Sequence, residues 1–306
     1  MQKVLLNQNP IFIVGFPRSG TTLLQSLLSQ QKNLYSFQET HFFCNVINKI
    51  NYNGNKSIKL ESLEKTFKII SIKTGHNFND ISQNNISLLA HKKELTIKIL
   101  FEFLVFDLLK KQNKNNEISK MRWIEKTPGH LFQMEMIHSL YDNAKFIEII
   151  RDPLNSIASV KKKLVPDESY FYLAKRWRYG RKVFRDFSKR FPNNTISIKY
   201  EELIKNPGKE IIRVCNFLGI NYNHKDLSVP NPSSKFHIRD DESWKSDNLK
   251  FGVKNNNMTY KWSFSYFLLV LYLVRKEILI AGYIDKFFSM HTLKLITHRV
   301  KFLTNL

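Results

Sequence analysis

The sequence predicts an α/β fold, a doubly wound parallel sheet flanked by helices and carrying a mostly helical insertion. Three observations point there. Short runs rich in β-branched and aromatic residues, at Ile11 to Val14, Met121 to Glu125, Lys145 to Ile150 and Thr195 to Tyr200, alternate with stretches of helical periodicity. A glycine-bounded turn joins the first run to the helical stretch after it. An Asp-Pro pair opens a helix directly after the third run. Strands that alternate with helices form parallel crossover units rather than hairpins.

The chain has 306 residues, 42% of them hydrophobic, enough for one large α/β domain. We expect a single domain over residues 1–285, with an insertion at about 45–120 and a tail at 286–306. The net charge of +22 and a pI near 9.8 predict an anionic partner surface: a nucleotide, an acidic glycan, an anionic lipid or a nucleic acid. Cys44 and Cys215 are too far apart for a disulfide framework, and neither has metal-ligand spacing with histidine. A reducing compartment fits. With a strand beginning by Ile11, Met1 to Pro10 leave no room for a signal peptide, so a cytoplasmic protein is the expectation.

In chain order, four consecutive apolar residues, Ile11-Phe12-Ile13-Val14, read as a buried strand, and the residues after Gly20 as the first helix. Leu34-Tyr35-Ser36-Phe37 is a second short strand, followed by Glu39. Open α/β sheets bind ligands at the carboxyl ends of their strands, so that carboxylate is well placed. Asn45 to Asn85 is asparagine-rich and reads as a partly helical insertion. From Ile86 to Gln112, Leu88, Leu89, Leu95, Ile99, Phe103, Phe106 and Leu109 recur at helical spacing and predict one core-packing helix. A strand at 121–125 then delivers Lys126-Thr127-Pro128 to a turn. After the strand at 145–150, Asp152 as N-cap with Pro153 at the first helical position predicts a helix to about Lys163. A long aromatic and basic helix from about Glu168 to Lys189, the strand at 195–200 and a helix from Pro207 to Leu218 complete the fold. Asn221 to Lys261 is a long polar segment of the kind that tends to be functional or disordered. Trp262 to Ala281 is apolar but interrupted by Arg275-Lys276-Glu277, too short a run to span a bilayer. Beyond Lys286, apolar residues fall on one face among lysines and arginines, which suits a helix covering the core or one lying on an anionic membrane surface.

The first turn carries the chemistry. Gly15 to Thr22 follows the nucleotide-loop pattern of two glycines, lysine and a hydroxyl residue, except that Thr21 replaces the lysine. Loop amides and a helix N-terminus still cradle a phosphate. The cation comes from Arg18 instead. Such a loop suits a nucleotide with one 5′-phosphate-linked group better than a triphosphate with magnesium.

On these residues the chain resembles the sulfotransferases that use 3′-phosphoadenosine-5′-phosphosulfate, most closely the branch of tyrosylprotein sulfotransferases and their bacterial relatives. Pro17-Arg18-Ser19-Gly20-Thr21-Thr22 looks like that family's 5′-phosphosulfate loop, and Arg151 with Ser159, eight residues later, looks like its 3′-phosphate site. An arginine forks two N–H groups onto phosphate oxygens and a serine adds a hydroxyl. The resemblance also implies that Tyr200 approaches the cofactor, and that Ser246 and Lys261 end a loop closing over the phosphosulfate, with Ser246 reaching the reacting group. Ser243 is the alternative, because the residues between Ser246 and Lys261 depart from the tyrosylprotein enzymes and lack their lysine-proline pair. Glu39 matches the family's general base, with Glu125 and His130 as secondary candidates; His130 reads first as a surface or packing histidine. Arg18 and Lys126 would meet the charge on the leaving oxygen. No metal is expected. His41 stands where tyrosylprotein enzymes carry an arginine, which places a carbohydrate or small-molecule hydroxyl ahead of a protein tyrosine as acceptor.

Two rival classes stay in view. A nucleotide kinase or NTPase would share the strand, loop and helix but needs the lysine that Thr21 replaces. A nucleic-acid-binding protein would suit the charge, yet the lysines are scattered along the whole chain rather than clustered.

Overall fold

The structure is a computed structural model and describes residues 6, 9–49, 57–112, 118, 121–222 and 263–283. Five strands form one parallel sheet: β1 (Ile11–Gly15), β2 (Leu34–Ser36), β3 (Arg122–Lys126), β4 (Lys145–Ile150) and β5 (Thr195–Lys199), in the order β2-β3-β1-β4-β5. β1 pairs with β3 on one side and β4 on the other, with Phe12 level with Glu125 and Phe146, and Ile13 level with Lys126 and Ile147. The chain reverses its direction of winding at β1, so the crevice beyond the carboxyl end of β1 is where this architecture holds ligands.

Residues 11–15 are buried throughout, as the central strand of a parallel sheet requires. Side chains alternate across the sheet, and each face has its own core. One face is aromatic: Phe12, Trp123 and Phe146 pack with Phe43, Phe101 and Phe187. On the other, Ile11, Ile13, Ile124 and Ile147 pack against α1 (Thr21–Leu28), α8 (Tyr200–Lys205) and α9 (Pro207–Leu218). The aromatic face is covered by α2 (Leu63–Thr74), α3 (Asp80–His91), α4 (Ile97–Gln112), α5 (Met134–Leu140) and the second half of α7 (Tyr170–Arg190). The sheet is thus parallel and helix-covered on both faces, as the sequence predicts.

One predicted helix is two. The stretch from Ile86 to Gln112 breaks after α3, where Lys93 takes a left-handed φ of 58° and the Glu94 amide turns back to the Leu89 carbonyl at 2.8 Å. Lys92-Lys93-Glu94 holds no apolar residue to commit to the core, and Thr96 opens α4 by accepting the Ile99 amide at 3.3 Å. Buried Asp107 on α4 explains the pairing, since its carboxylate accepts from Ser82 Oγ at 2.7 Å and Asn79 Nδ2 at 3.1 Å at the start of α3.

The chain divides into two compact units: residues 1–151 with 183–257, and residues 152–182 with 258–306. The sheet and both its cores belong to the first. The second contains α6 (Pro153–Lys163), the first half of α7 and α10 (Phe264–Ile280), and within it α6 packs on α10. Asp152 Oδ1 accepts the Asn155 amide at 2.9 Å with Pro153 at the first helical position, the predicted cap. Among the described residues no helix is long and apolar enough to cross a membrane. Ser243, Ser246, Lys261 and the tail at 286–306 lie outside the described residues.

Candidate active site

Each strand of the sheet delivers a candidate residue at its carboxyl end. β1 runs into the loop of Gly15 to Gly20, β2 is followed by Glu39, β3 ends at Lys126, β4 leads to Arg151 and β5 to Tyr200. Residues scattered over the sequence therefore share one edge of the sheet.

The loop has the backbone that its glycines imply. Gly20 has φ 100° and caps α1 with no side-chain partner, which leaves the first amides of the helix directed outward. Arg18 is itself left-handed, at φ 67°. A Cβ on Gly20 would stand 2.4 Å from Cδ2 of Tyr200, so loop and ring are in direct contact. The Arg151 guanidinium lies 4.5 Å from the centre of the same ring, and its Nη1 donates to the Arg18 carbonyl at 3.0 Å. Arg151 is thereby held against the back of the loop. Ser19 Oγ is fully buried with no hydrogen-bond partner among the described residues. An orphaned buried hydroxyl beside free helix amides is what an oxyanion would satisfy, so the loop fits a phosphate or sulfate group.

On the β3 side, Lys126 is not the turn residue that the sequence suggests but the last residue of β3, and its side chain is fully buried. Its Nζ donates to Glu39 Oε1 at 2.5 Å and to Thr22 Oγ1 of the loop helix at 3.3 Å. His41 Nε2 lies 3.3 Å from the other Glu39 oxygen. Base candidate, cation candidate and loop are thus joined through one ammonium group. A short charge-assisted bond of this kind is strong because both partners are shielded from water.

Glu125 and His130, the secondary base candidates, are fully buried against the aromatic core. His130 Nδ1 bonds to Glu125 Oε2 at 2.8 Å, and Oε1 accepts from the Thr127 and Thr40 hydroxyls at 2.7 and 2.8 Å. Burial pushes the Glu125 pKa up, but His130 and the two hydroxyls outweigh it and hold the carboxyl below its ordinary value. Neither side chain reaches solvent, so neither takes a proton from an acceptor directly. His130 is a core histidine, the packing alternative of the two that the sequence allowed.

Ser159 lies in the second unit, on α6, and its side chain is buried. Pro17, Thr21 and Thr22 occupy the loop and the first turn of α1, with both threonines buried. Among the described residues no group of three or more His, Cys, Asp or Glu side chains is placed to hold a metal.

The profile described as the sulfotransferase family matches residues 10–224, from the strand before the loop to beyond the end of α9. The chain belongs to this sulfotransferase family. It is 25% identical over 224 residues to a Caenorhabditis briggsae protein provisionally named a protein-tyrosine sulfotransferase, covering 71% of this chain and 68% of that one. With the protein-tyrosine sulfotransferase of Drosophila melanogaster it shares 23% identity over 260 residues, 78% of this chain and 45% of the fly protein. It therefore spans about half the length of the fly relative. Among solved structures, the sulfotransferase domain of the Synechococcus PCC 7002 olefin synthase superimposes with a TM-score of 0.54 at 19% identity, covering 88% of this chain and 95% of that domain. That likeness shows the fold, and the family match makes the chain a sulfotransferase enzyme, which favours neither the nucleotide-kinase nor the nucleic-acid-binding reading.

Proposed function

We propose that this sulfotransferase transfers a sulfuryl group from 3′-phosphoadenosine-5′-phosphosulfate to an acceptor hydroxyl by in-line displacement. The observation that carries it is the Glu39–Lys126–Thr22 contact, which sets a carboxylate and a buried ammonium directly beside the anion loop. The donor supplies an activated sulfuryl group, whose S–O bond to the 5′-phosphate breaks as the bond to the acceptor oxygen forms. Glu39 takes the acceptor proton, and Lys126 and Arg18 offset the charge that develops on the departing phosphate oxygen. Ser19, Gly20, Thr21 and Thr22 hold the 5′ end through loop amides and hydroxyls, with Pro17 shaping the turn. Arg151 and Ser159 are assigned to the 3′-phosphate and Tyr200 to the nucleotide. Ser246 and Lys261 are assigned, from the resemblance alone, to the ends of a loop covering the phosphosulfate, and transfer proceeds without a metal.

Carbohydrate and small-molecule hydroxyls are the acceptors we favour, because His41 offers no guanidinium fork for an acidic peptide. The names of the nematode and fly relatives favour a second reading, tyrosine in a protein. A panel of saccharides, small alcohols, phenols and tyrosine peptides with labelled donor separates the two. Glu39→Gln should lower kcat by about 10²- to 10⁴-fold, the usual worth of a general base, with affinity for 3′-phosphoadenosine 5′-phosphate retained. A fully active Glu39→Gln enzyme removes that residue from the base role.

A further inference from the structure

We propose that Glu125, Thr127 and His130 form a buried clamp that positions Glu39 against Lys126 for proton transfer. The inference rests on the reading of Glu39 as the base, and its observations lie in the segment that follows Glu39.

Successive residues of a strand point to opposite faces. Glu125 stands level with Phe12 and Lys126 level with Ile13, and those two neighbours belong to the aromatic and the aliphatic core respectively. Lys126 meets Glu39 and Thr22 of α1, which packs on the aliphatic face. Phe43 packs in the aromatic face, with its ring 5.3 Å from that of His130. Residues 39–43 therefore cross from one face of the sheet to the other around the end of β3. His41, at the crossing, takes a left-handed φ of 50°.

A segment crossing a strand end lacks ladder partners, and here side chains take its amides one after another. The Thr40 amide donates to Glu125 Oε1 at 3.3 Å, and the His41 amide to Thr127 Oγ1 at 3.2 Å. The Phe42 amide donates to Thr40 Oγ1 at 3.3 Å, itself bonded to Glu125, and the Phe43 amide to His130 Nε2 at 3.2 Å. Four consecutive amides are thus held by a network anchored on Glu125 and His130. Nδ1 of the same ring lies 2.8 Å from Glu125 Oε2.

The consequence is a two-sided grip built from neighbouring residues. β3 presents Lys126 to the Glu39 side chain and, through Glu125 on the reverse face, fixes the backbone that carries Glu39. Burying a carboxylate and a histidine among phenylalanines is costly for a network that only filled space. It is a rational arrangement for holding a base in register with its partner, because small displacements of a reacting group cost rate steeply. These three are positioning residues: they act through Glu39 and touch no substrate.

The test uses the 306-residue enzyme, the single variants Glu39→Gln, Glu125→Gln, Thr127→Val and Thr127→Ser, and the two double variants that combine Glu39→Gln with Glu125→Gln or Thr127→Val. Glu125→Gln and Thr127→Val should each lower kcat by about 10- to 100-fold, the usual effect of a displacement near 1 Å. Affinity for 3′-phosphoadenosine 5′-phosphate by calorimetry should stay within about threefold, since the clamp lies on the face away from the loop helix. Thr127→Ser, which restores the hydroxyl, should restore the rate. Combined with Glu39→Gln, the Glu125→Gln or Thr127→Val change should bring no further loss, because a base that is absent cannot be mispositioned; a purely structural role predicts additive losses. Should Glu125→Gln fail to fold, Thr127→Val alone carries the comparison. Full kcat in both clamp variants beside an inactive Glu39→Gln, or additive losses in the double variants, overturns the clamp and leaves the base assignment standing. An active Glu39→Gln overturns both.

Discussion

Lys126→Met is the sharpest test of the central pair. The lysine side chain is fully buried and Glu39 is 7% exposed, with 2.5 Å between Nζ and Oε1. Removing one partner of such a pair strands the other charge out of water, which costs about 3–5 kcal/mol in general. His41, 3.3 Å from the second carboxylate oxygen, retains part of the compensation, so a loss near the lower bound, about 3 kcal/mol, is expected. For a folding unit of about 150–250 residues that corresponds to roughly 6–12 °C in midpoint temperature by scanning fluorimetry. Lys126→Met with Glu39→Gln removes both charges and should recover most of the stability while staying inactive. An unchanged midpoint in the single variant, or no recovery in the double, would refute a buried ion pair here. Recovered stability without recovered turnover would separate the pair's folding role from its chemical one.

Arg151→Ala removes the hydrogen bond to the Arg18 carbonyl and the contact with Tyr200; it should weaken 3′-phosphoadenosine 5′-phosphate by about 1.5–3 kcal/mol but AMP much less, and equal losses by calorimetry would contradict the 3′-phosphate assignment. Gly20→Ala would place its Cβ 2.4 Å from the Tyr200 ring at a φ of 100°, so nucleotide affinity should fall at least about tenfold, and unchanged binding would show that the loop tolerates a side chain there. Asp152→Ala removes the cap that accepts the Asn155 amide and should cost about 1 kcal/mol, read as a lower midpoint in urea.

What the sequence made legible follows from what is local. β1, β4, α6 and α9 fall close to where periodicity and capping place them, because a buried strand and an Asp-Pro start each act within a few residues. The loop was legible for the same reason: Gly15 and Gly20 stand where no other residue fits. The split of Ile86 to Gln112 was not, since it depends on Asp107 reaching Ser82 and Asn79 on another helix. Nor was the burial of Lys126, and His130 could be read either at the surface or in packing. A lysine at a strand end looks solvated until Glu39, brought up from elsewhere, supplies the partner that allows it inside, and Glu125 on the same strand does so for His130. The family resemblance named Glu39 and Lys126; only the fold shows them bonded to each other.

That bond has a bearing on economy. With Glu39 as the proposed base, the carboxylate is occupied by an ammonium at rest, and an occupied carboxylate is a poor scavenger of protons from stray water. A bound acceptor is held beside the pair long enough to be activated where stray water is not, so idle breakdown of the donor should run far more slowly than productive turnover. The same contact that assembles the catalytic edge also keeps it quiet until a partner arrives.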